Sequence, residues 1–294
     1  MHYTGPIVRP PHEAGSLLLE VTVGCSHNSC SYCNFYEGTC FKMAPFSQIE
    51  ADLKELGRTD HDAARLYALG GDPFTMSADK LIRLGRLAGR YLPEAQISMY
   101  ARVDSMKNKS VEELKEIRET GINDLVIGVE SGDDEILAEC NKGYTVADII
   151  EGCGKLDAAG IDYRVIYLSG LAGHGKGETN ARKSAEMFNR IHPYFMYVTS
   201  VTVFPGTRMY QDIRKGKFVE AGELERIRED RVLLAGLNNK LIVSSETAGS
   251  LVSFHAEFPD EKEGLLKELD QFLAGADETK ENNMKRFRNE MHAV

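Results

Sequence analysis

Short runs of aliphatic, β-branched and aromatic residues recur along the first two thirds of the chain, each separated from the next by a polar stretch. They are SLLLEVTV (16–23), ARLYAL (64–69), QISMYA (96–101), NDLVIGV (123–129), IDYRVIYL (161–168) and FMYVTSVTVF (195–204). None alternates cleanly between apolar and polar positions, which is how strands buried on both faces of a parallel sheet read. The intervening stretches carry helix-start signals. Ser47 with Glu50, Ser110 with Glu113 and Thr145 with Asp148 each have the spacing of a capping box, in which hydroxyl and carboxyl satisfy the backbone N–H groups orphaned at a helix start. After Thr145, the residues Val146, Ile149, Ile150, Cys153, Leu156 and Ala159 share one helical face, and Gly160 supplies the stop. Six strand-helix units before residue 216 predict an α/β fold with parallel pairing and right-handed crossovers: a barrel, a partial barrel or an open doubly wound sheet.

Beyond Gly216 the pattern changes to a charged helical stretch (220–235), a candidate strand KLIVSSE (240–246) and two further helices. The first of these has a packing stripe of Leu265, Leu266, Leu269, Phe272 and Leu273. The second, within DETKENNMKRFRNEMHAV, is almost entirely polar, and its last turns are expected to fray. The expected division is a lead-in over 1–16, a core over 17–215, and an α-rich extension over 216–294 that covers the barrel or its substrate side. No solenoid-period repeat or low-complexity segment interrupts it.

Composition narrows the class. A chain of 294 residues with 42% hydrophobic and 27% charged residues has the balance of a globular protein, and its apolar runs fall short of the roughly 20 residues a membrane helix needs. The start MHYTGPIVRPPHEAG lacks the apolar core of a secretory signal. A cytoplasmic, reducing location without membrane contact is therefore expected, and there clustered cysteines bind metal or do redox chemistry in preference to forming disulfides. The net charge of -10 disfavours a nucleic-acid partner, because phosphate backbones are bound by basic surfaces.

Three of the six cysteines, Cys25, Cys30 and Cys33, lie within GCSHNSCSYCNFY, directly after the first predicted strand. Zinc would need a fourth ligand, which His27 or Cys40 could supply, but the usual second knuckle is missing. A plant-type ferredoxin site would need a fourth cysteine further on. Cys40 is too near for that, and Cys140 shares an apolar helix face with Ile136 and Leu137. Packing alone does not gather thiols among polar neighbours. The remaining alternative is an iron-sulfur cluster with one iron left without a protein ligand.

A three-cysteine loop after the first strand, Tyr32 immediately before the last cysteine, and five further strand-helix units resemble a radical S-adenosylmethionine (SAM) enzyme over residues 17–215. The resemblance implies a partial (βα)6 barrel. It also implies a 4Fe-4S cluster on Cys25, Cys30 and Cys33, with SAM chelating the fourth iron and yielding a 5'-deoxyadenosyl radical that abstracts hydrogen from a small-molecule substrate. An electron donor such as flavodoxin or ferredoxin would be its partner. Further motifs match in strand order. LGGDPF places Gly70, Gly71 and Asp72 where the family has Gly-Gly-Glu-Pro, the segment receiving the SAM amino group; GVESG supplies Glu130 and Ser131 for ribose or carboxylate. SGLAG places Gly170 and Leu171 beside adenine. FPGT is similar to the element closing the barrel in proteins like oxygen-independent coproporphyrinogen oxidase and the methylthiotransferases. Each motif also has a plain structural reading as a turn or cap. Four residues separate Cys25 from Cys30, where three are commonest in the family, and the further cysteine of true coproporphyrinogen oxidases is missing. With so few residues before Cys25 a cobalamin domain on that side is not expected, nor, with no second cysteine group, is another cluster. Other members modify RNA, and a non-catalytic iron-sulfur or zinc protein would share the cysteines.

Arg164 within the fifth strand reads equally as a ligand of the SAM carboxylate or a substrate anion and as a structural ion-pair residue, and Arg102 reads more readily as structural. Tyr100 and Tyr167 suit packing as well as a place near the radical. His27 and Cys40 are expected to be incidental, and Cys140 and Cys153 belong to the core by their helical faces.

Overall fold

Four of the predicted strands form within a residue of where the pattern puts them, and the first forms in part. In the computed structural model, which describes residues 1–250 and 252–291, they are β1 (Leu17–Glu20) and, after two short strands β2 (Thr22–Val23) and β3 (Lys42–Met43), β4 (Arg65–Leu69), β5 (Gln96–Ala101), β6 (Ile122–Glu130) and β7 (Asp162–Ser169). The sixth, β8 (Phe195–Ser200), is followed by β9 (Leu241–Ser244) and β10 (His255–Phe258). Eight strands make one sheet in the order β1-β4-β5-β6-β7-β8-β9-β10. Pairing of β1 with β4, β4 with β5, β5 with β6 and β8 with β9 is parallel. The fold is thus α/β, with six strands in sequence order, as six successive right-handed βα units require.

The helices are α1 (Phe46–Thr59), α2 (Ala78–Tyr91), α3 (Val111–Glu119), α4 (Asp134–Glu139), α5 (Val146–Ala159), α6 (Gly177–Phe188), α7 (Arg208–Arg214), α8 (Glu223–Gly236), α9 (Lys262–Ala274) and α10 (Glu278–Glu290). Two of the three expected capping boxes form. At Ser110 both reciprocal bonds are present, and Asp148 N–H donates to Thr145 Oγ1 at 3.3 Å while Thr145 N–H donates back to Asp148 Oδ2 at 2.8 Å. Ser47 is not a cap. Pro45 takes that position, its carbonyl accepting from Gln48 and Ile49, because proline's fixed φ and missing N–H suit a helix entry.

Three departures concern the strands and the tail. The run 16–23 breaks at Val21, and its last two residues pair antiparallel with β3, leading into the Cys25 loop. FMYVTSVTVF stops being a strand at Ser200. The tail carries one strand more than expected: β9, within the expected KLIVSSE run, extends the sheet parallel to β8, and the further strand β10 pairs antiparallel with β9. In α9 only Leu265 and Leu269 of the five-residue stripe are buried. Residues 292–294 at the end of the polar tail lie outside the described residues. Among the described residues no helix is long and apolar enough to cross a membrane.

The chain packs as two compact units, one of residues 1–28, 35–128 and 151–164, the other of 29–34, 129–150 and 165–294. The core of the first is built on Leu19, Leu66, Ile97 and Leu125 from its strands, with Leu53, Leu81 and Leu114 from α1, α2 and α3. The second buries Val165, Met196, Val198 and Val243 from β7, β8 and β9, with Leu233 and Leu234 of α8.

Candidate active site

The first unit carries Cys25 and the Gly70-Gly71-Asp72 turn at the C-terminal end of β4. Both glycines are required by close backbone approach. A Cβ on Gly70, whose φ is +139°, would lie 1.9 Å from Thr22 Oγ1; one on Gly71 would lie 2.8 Å from Cys25 Cβ and 2.7 Å from the Tyr36 ring. Gly71 N–H donates to Gly24 O at 2.9 Å, and Gly24, at φ +81°, turns the chain into the cysteine loop. Asp72 is fully buried. Its Oδ2 accepts from Ser26 Oγ at 2.6 Å and from Ser105 Oγ at 2.7 Å, and its Oδ1 accepts from Arg102 N–H at 3.1 Å. Burial pushes its carboxyl up to about 6 against the pull of these donors. The side chain expected to face a SAM amino group therefore also ties the residue after Cys25 to the loop after β5. Behind it Lys109 Nζ donates to Phe74 O at 2.9 Å and Ser105 O at 2.8 Å, and burial lowers its ammonium to about 8.

Arg102 is structural: its guanidinium pairs with Asp104. Arg164 is structural as well, which corrects the expectation that it reaches the SAM carboxylate. It sits near the N-terminal end of β7, the end away from Asp72. There Nη2 donates to Glu13 Oε1 at 2.5 Å and Asp124 Oδ2 at 2.9 Å, and Nε to Asp124 Oδ1 at 3.2 Å. The third residue of β7 starts at that end, so a side chain there cannot serve the loops that follow the strand.

The second unit carries Cys30 and Cys33. The loop 29–34 is held by its backbone: Ser31 N–H donates to Cys140 O at 2.9 Å, Ser31 O accepts from Met209 N–H at 2.8 Å, and Cys33 N–H donates to Cys30 O at 3.2 Å. Tyr32 Oη accepts from Lys142 Nζ at 3.2 Å, and the same ammonium pairs with Glu130 Oε1 at 3.0 Å. Burial pushes the Tyr32 hydroxyl well above its ordinary value, with Glu130 adding to the effect. Burial opposes the Lys142 charge, but Glu130 holds it firmly protonated. Glu130 has a left-handed φ of +69°, uncommon for a residue with a side chain and a mark of a constrained site. Ser131 Oγ donates to Asn180 Oδ1 at 2.5 Å and accepts from Asp133 N–H at 3.0 Å.

After β7, Gly170 turns at φ +79°. Its N–H donates to Glu229 Oε2 at 2.8 Å. Leu171 is buried with Ile136, Cys140, Leu168, Val201 and Met209, and Tyr32 packs on this cluster. In the FPGT segment Thr207 is the N-cap of α7, accepting from Tyr210 N–H at 3.1 Å. Sequence reading alone did not single out Ser26, Ser105, Lys109, Lys142, Asn180 or Glu229. Only Lys142 carried a signal, as a charge two residues beyond a cysteine on an apolar face.

The cysteine chemistry fits an iron-sulfur cluster with an open iron. No cysteine is in a disulfide. Cys140 and Cys153 are buried, which pushes their thiols up to about 12, whereas Cys25, Cys30 and Cys33, like Cys40, are partly or fully exposed. A parallel βα array with such a loop after its first strand and glycine turns and carboxylates at the strand ends has the makings of a cofactor-dependent α/β enzyme. The chain belongs to the radical SAM superfamily, which residues 19–188 match; the cofactors of that family are a 4Fe-4S cluster and SAM.

Among curated proteins it is similar to the heme chaperone HemW of Bacillus subtilis, 24% identical over 66% of this chain and 52% of that one. It is also similar to the tRNA uridine(34) acetyltransferase of Methanocaldococcus infernus, 23% identical over 65% of this chain and 39% of that one. The chain thus spans about half the length of the first relative or less of the second. Among solved structures its fold matches coproporphyrinogen III oxidase (HemN) of Escherichia coli with a TM-score of 0.55, at 16% identity over 75% of this chain and 51% of that one.

Proposed function

We propose that the protein is a radical SAM enzyme in which Cys25, Cys30 and Cys33 hold the 4Fe-4S cluster and the strand ends at Gly70–Asp72, Glu130–Ser131 and Gly170–Leu171 receive SAM. When bound, this pair supplies a one-electron cleavage of SAM to a 5'-deoxyadenosyl radical, able to take hydrogen from a small organic substrate. The observation that carries the reading is the approach of Gly71 to Cys25, too close for any side chain on residue 71. The other site residues hold and shield. Asp72 fixes Ser26, the residue next to Cys25. Lys142 orders Glu130 and Tyr32 together. The apolar cluster around Leu171 keeps water from that side of the loop. Reducing equivalents would come from a small carrier such as flavodoxin or ferredoxin.

Similarity to a tRNA-modifying enzyme favours a second reading, an RNA substrate. A net charge of -10 weighs against it, since a polyanion is bound by basic surface. The test is anaerobic reconstitution with iron and sulfide, reduction, addition of SAM, and assay of 5'-deoxyadenosine with and without tRNA. The loaded protein should cleave SAM without RNA, and Cys30→Ala should lose both cluster and cleavage. SAM left intact by a fully loaded wild type would refute the enzyme reading, and retained cleavage by Cys30→Ala would refute the ligand assignment.

A further inference from the structure

The helix α8 begins 35 residues beyond the last residue that matches the family, yet it supplies the acceptor for the Gly170 N–H. Glu229, fully buried on α8, takes three polar contacts, from β7, from the turn that follows it and from α6. Its Oε2 accepts from Gly170 N–H at 2.8 Å; its Oε1 accepts from Tyr167 Oη at 2.6 Å and Asn180 Nδ2 at 3.0 Å. Asn180 also donates to Tyr167 Oη at 3.0 Å, and its carbonyl accepts from Ser131 Oγ at 2.5 Å. One hydrogen-bonded chain therefore runs Ser131–Asn180–Glu229–Gly170, from the end of β6 to the end of β7.

We propose that Glu229, acting through Asn180, is the positioning residue that sets both of these strand ends for SAM. The proposal rests on the assignment of SAM to those ends. Gly170 has a left-handed φ, and a Cβ there would lie 3.0 Å from the Arg226 guanidinium, also from α8. The side of Gly170 facing α8 is thus filled and its amide spoken for, which leaves the other side of the turn to meet a ligand. A carboxylate suits the task. It offers acceptors only, and every group aimed at it here is a donor. Burying it costs desolvation, seen in the upward shift of its carboxyl despite those donors. That cost is repaid by three segments locked in one geometry, and a preorganised turn binds without first having to be ordered.

Glu229→Gln keeps the size of the side chain but replaces one acceptor oxygen with an NH2 group. That group cannot accept from Gly170 N–H, nor, if flipped, from Tyr167 and Asn180, so one anchor is lost. The lost hydrogen bond leaves the Gly170 turn less firmly set, so weakening of SAM binding by about tenfold is expected. The experiment titrates SAM into the reduced, reconstituted wild type and Glu229→Gln proteins and follows the EPR spectrum of the cluster, with iron and sulfide content measured in parallel. The expected result is full cluster content in both and half-saturation about tenfold higher in the variant. Equal half-saturation would overturn the proposal. Should Glu229→Gln fail to load its cluster, Tyr167→Phe decides: it removes one donor to Glu229 and leaves Gly170 its acceptor, and half-saturation unchanged from wild type would overturn the proposal, whereas a few-fold rise with full cluster content would support it. A wild-type spectrum that SAM does not alter would instead refute the cofactor assignment itself, whatever Glu229 does.

Discussion

A methyl group at residue 71 has nowhere to go. It would meet Cys25 Cβ at 2.8 Å and the buried Tyr36 ring at 2.7 Å, and neither is the loose end of a flexible side chain. Gly71→Ala must therefore push the cysteine loop away from β4, at a cost of about 1–3 kcal/mol typical of overpacking. Iron and sulfide per chain after reconstitution should fall well below wild type. The control is Gly89→Ala on α2, where a Cβ meets nothing within 4 Å; it should load fully and gain up to about 1 kcal/mol from reduced backbone freedom. At this scale the sequence was readable where backbone geometry or ligand chemistry admits few residue types. Glycines at 70, 71 and 170 and cysteines at 25, 30 and 33 stand out because few residue types can replace them. Ser26, Ser105 and Asn180 were unreadable, since a hydroxyl or an amide acquires a role only when folding brings its acceptor near.

Among the elements, α8 departs furthest from its pattern. The sequence shows only a charged helical stretch here, yet Glu223, Arg226, Glu229 and Asp230 are all buried. Glu229 is buried against Tyr167, Gly170 and Asn180, and Glu223 is covered by the polar tail helix α10. Arg288 makes a bidentate pair with Glu223, Nε to Oε1 at 2.8 Å and Nη2 to Oε2 at 3.0 Å, while Nη1 donates to Thr202 Oγ1 at 3.2 Å and Gly249 O at 3.2 Å. The tail that looked ready to fray is anchored at its last turn before residue 291. Removing one partner of a buried ion pair leaves the other charge without compensation, at about 3–5 kcal/mol. Arg288→Met should lower the urea midpoint accordingly, and Glu223→Gln in the same chain should recover part of the loss. Additive losses in that double-mutant cycle would rule the pairing out as the source of stability. Helical periodicity could not foresee this, because it sorts positions by polarity and a helix buried through ion pairs has no apolar face to find.

Across the whole molecule, acid stability should depend on one carboxylate in the segment expected to be a mere lead-in. Glu13 accepts from Arg65 Nη2 at 2.6 Å, Ser98 Oγ at 2.9 Å and Arg164 Nη2 at 2.5 Å, with Asp124 closing the network onto both arginines. Burial would raise its carboxyl, but hydrogen bonds from Arg65 and Ser16 and the charge of Arg164 bring it down to about 2. A depressed carboxyl stabilises the fold fully above its ordinary range, and that contribution is lost as pH falls from about 4.5 toward 2. Wild type should lose about 1 kcal/mol more than Glu13→Gln between pH 5 and 3.5. Urea denaturation followed by circular dichroism at the two pH values measures it, and parallel curves would show that Glu13 is not the titrating group. By itself the sequence determined the α/β class, the order of six strands, the cysteine loop and the glycine turns. Those features depend on local periodicity and on residue types with few substitutes, both of which a single chain displays. Only the tertiary structure decided that Arg164 belongs to the Glu13 network, that the tail adds β9 and β10 to the sheet, and that Glu229 holds Gly170. Each depends on contacts between residues far apart in the chain, where burial and the identity of the partner, not the residue type, decide what a charge does.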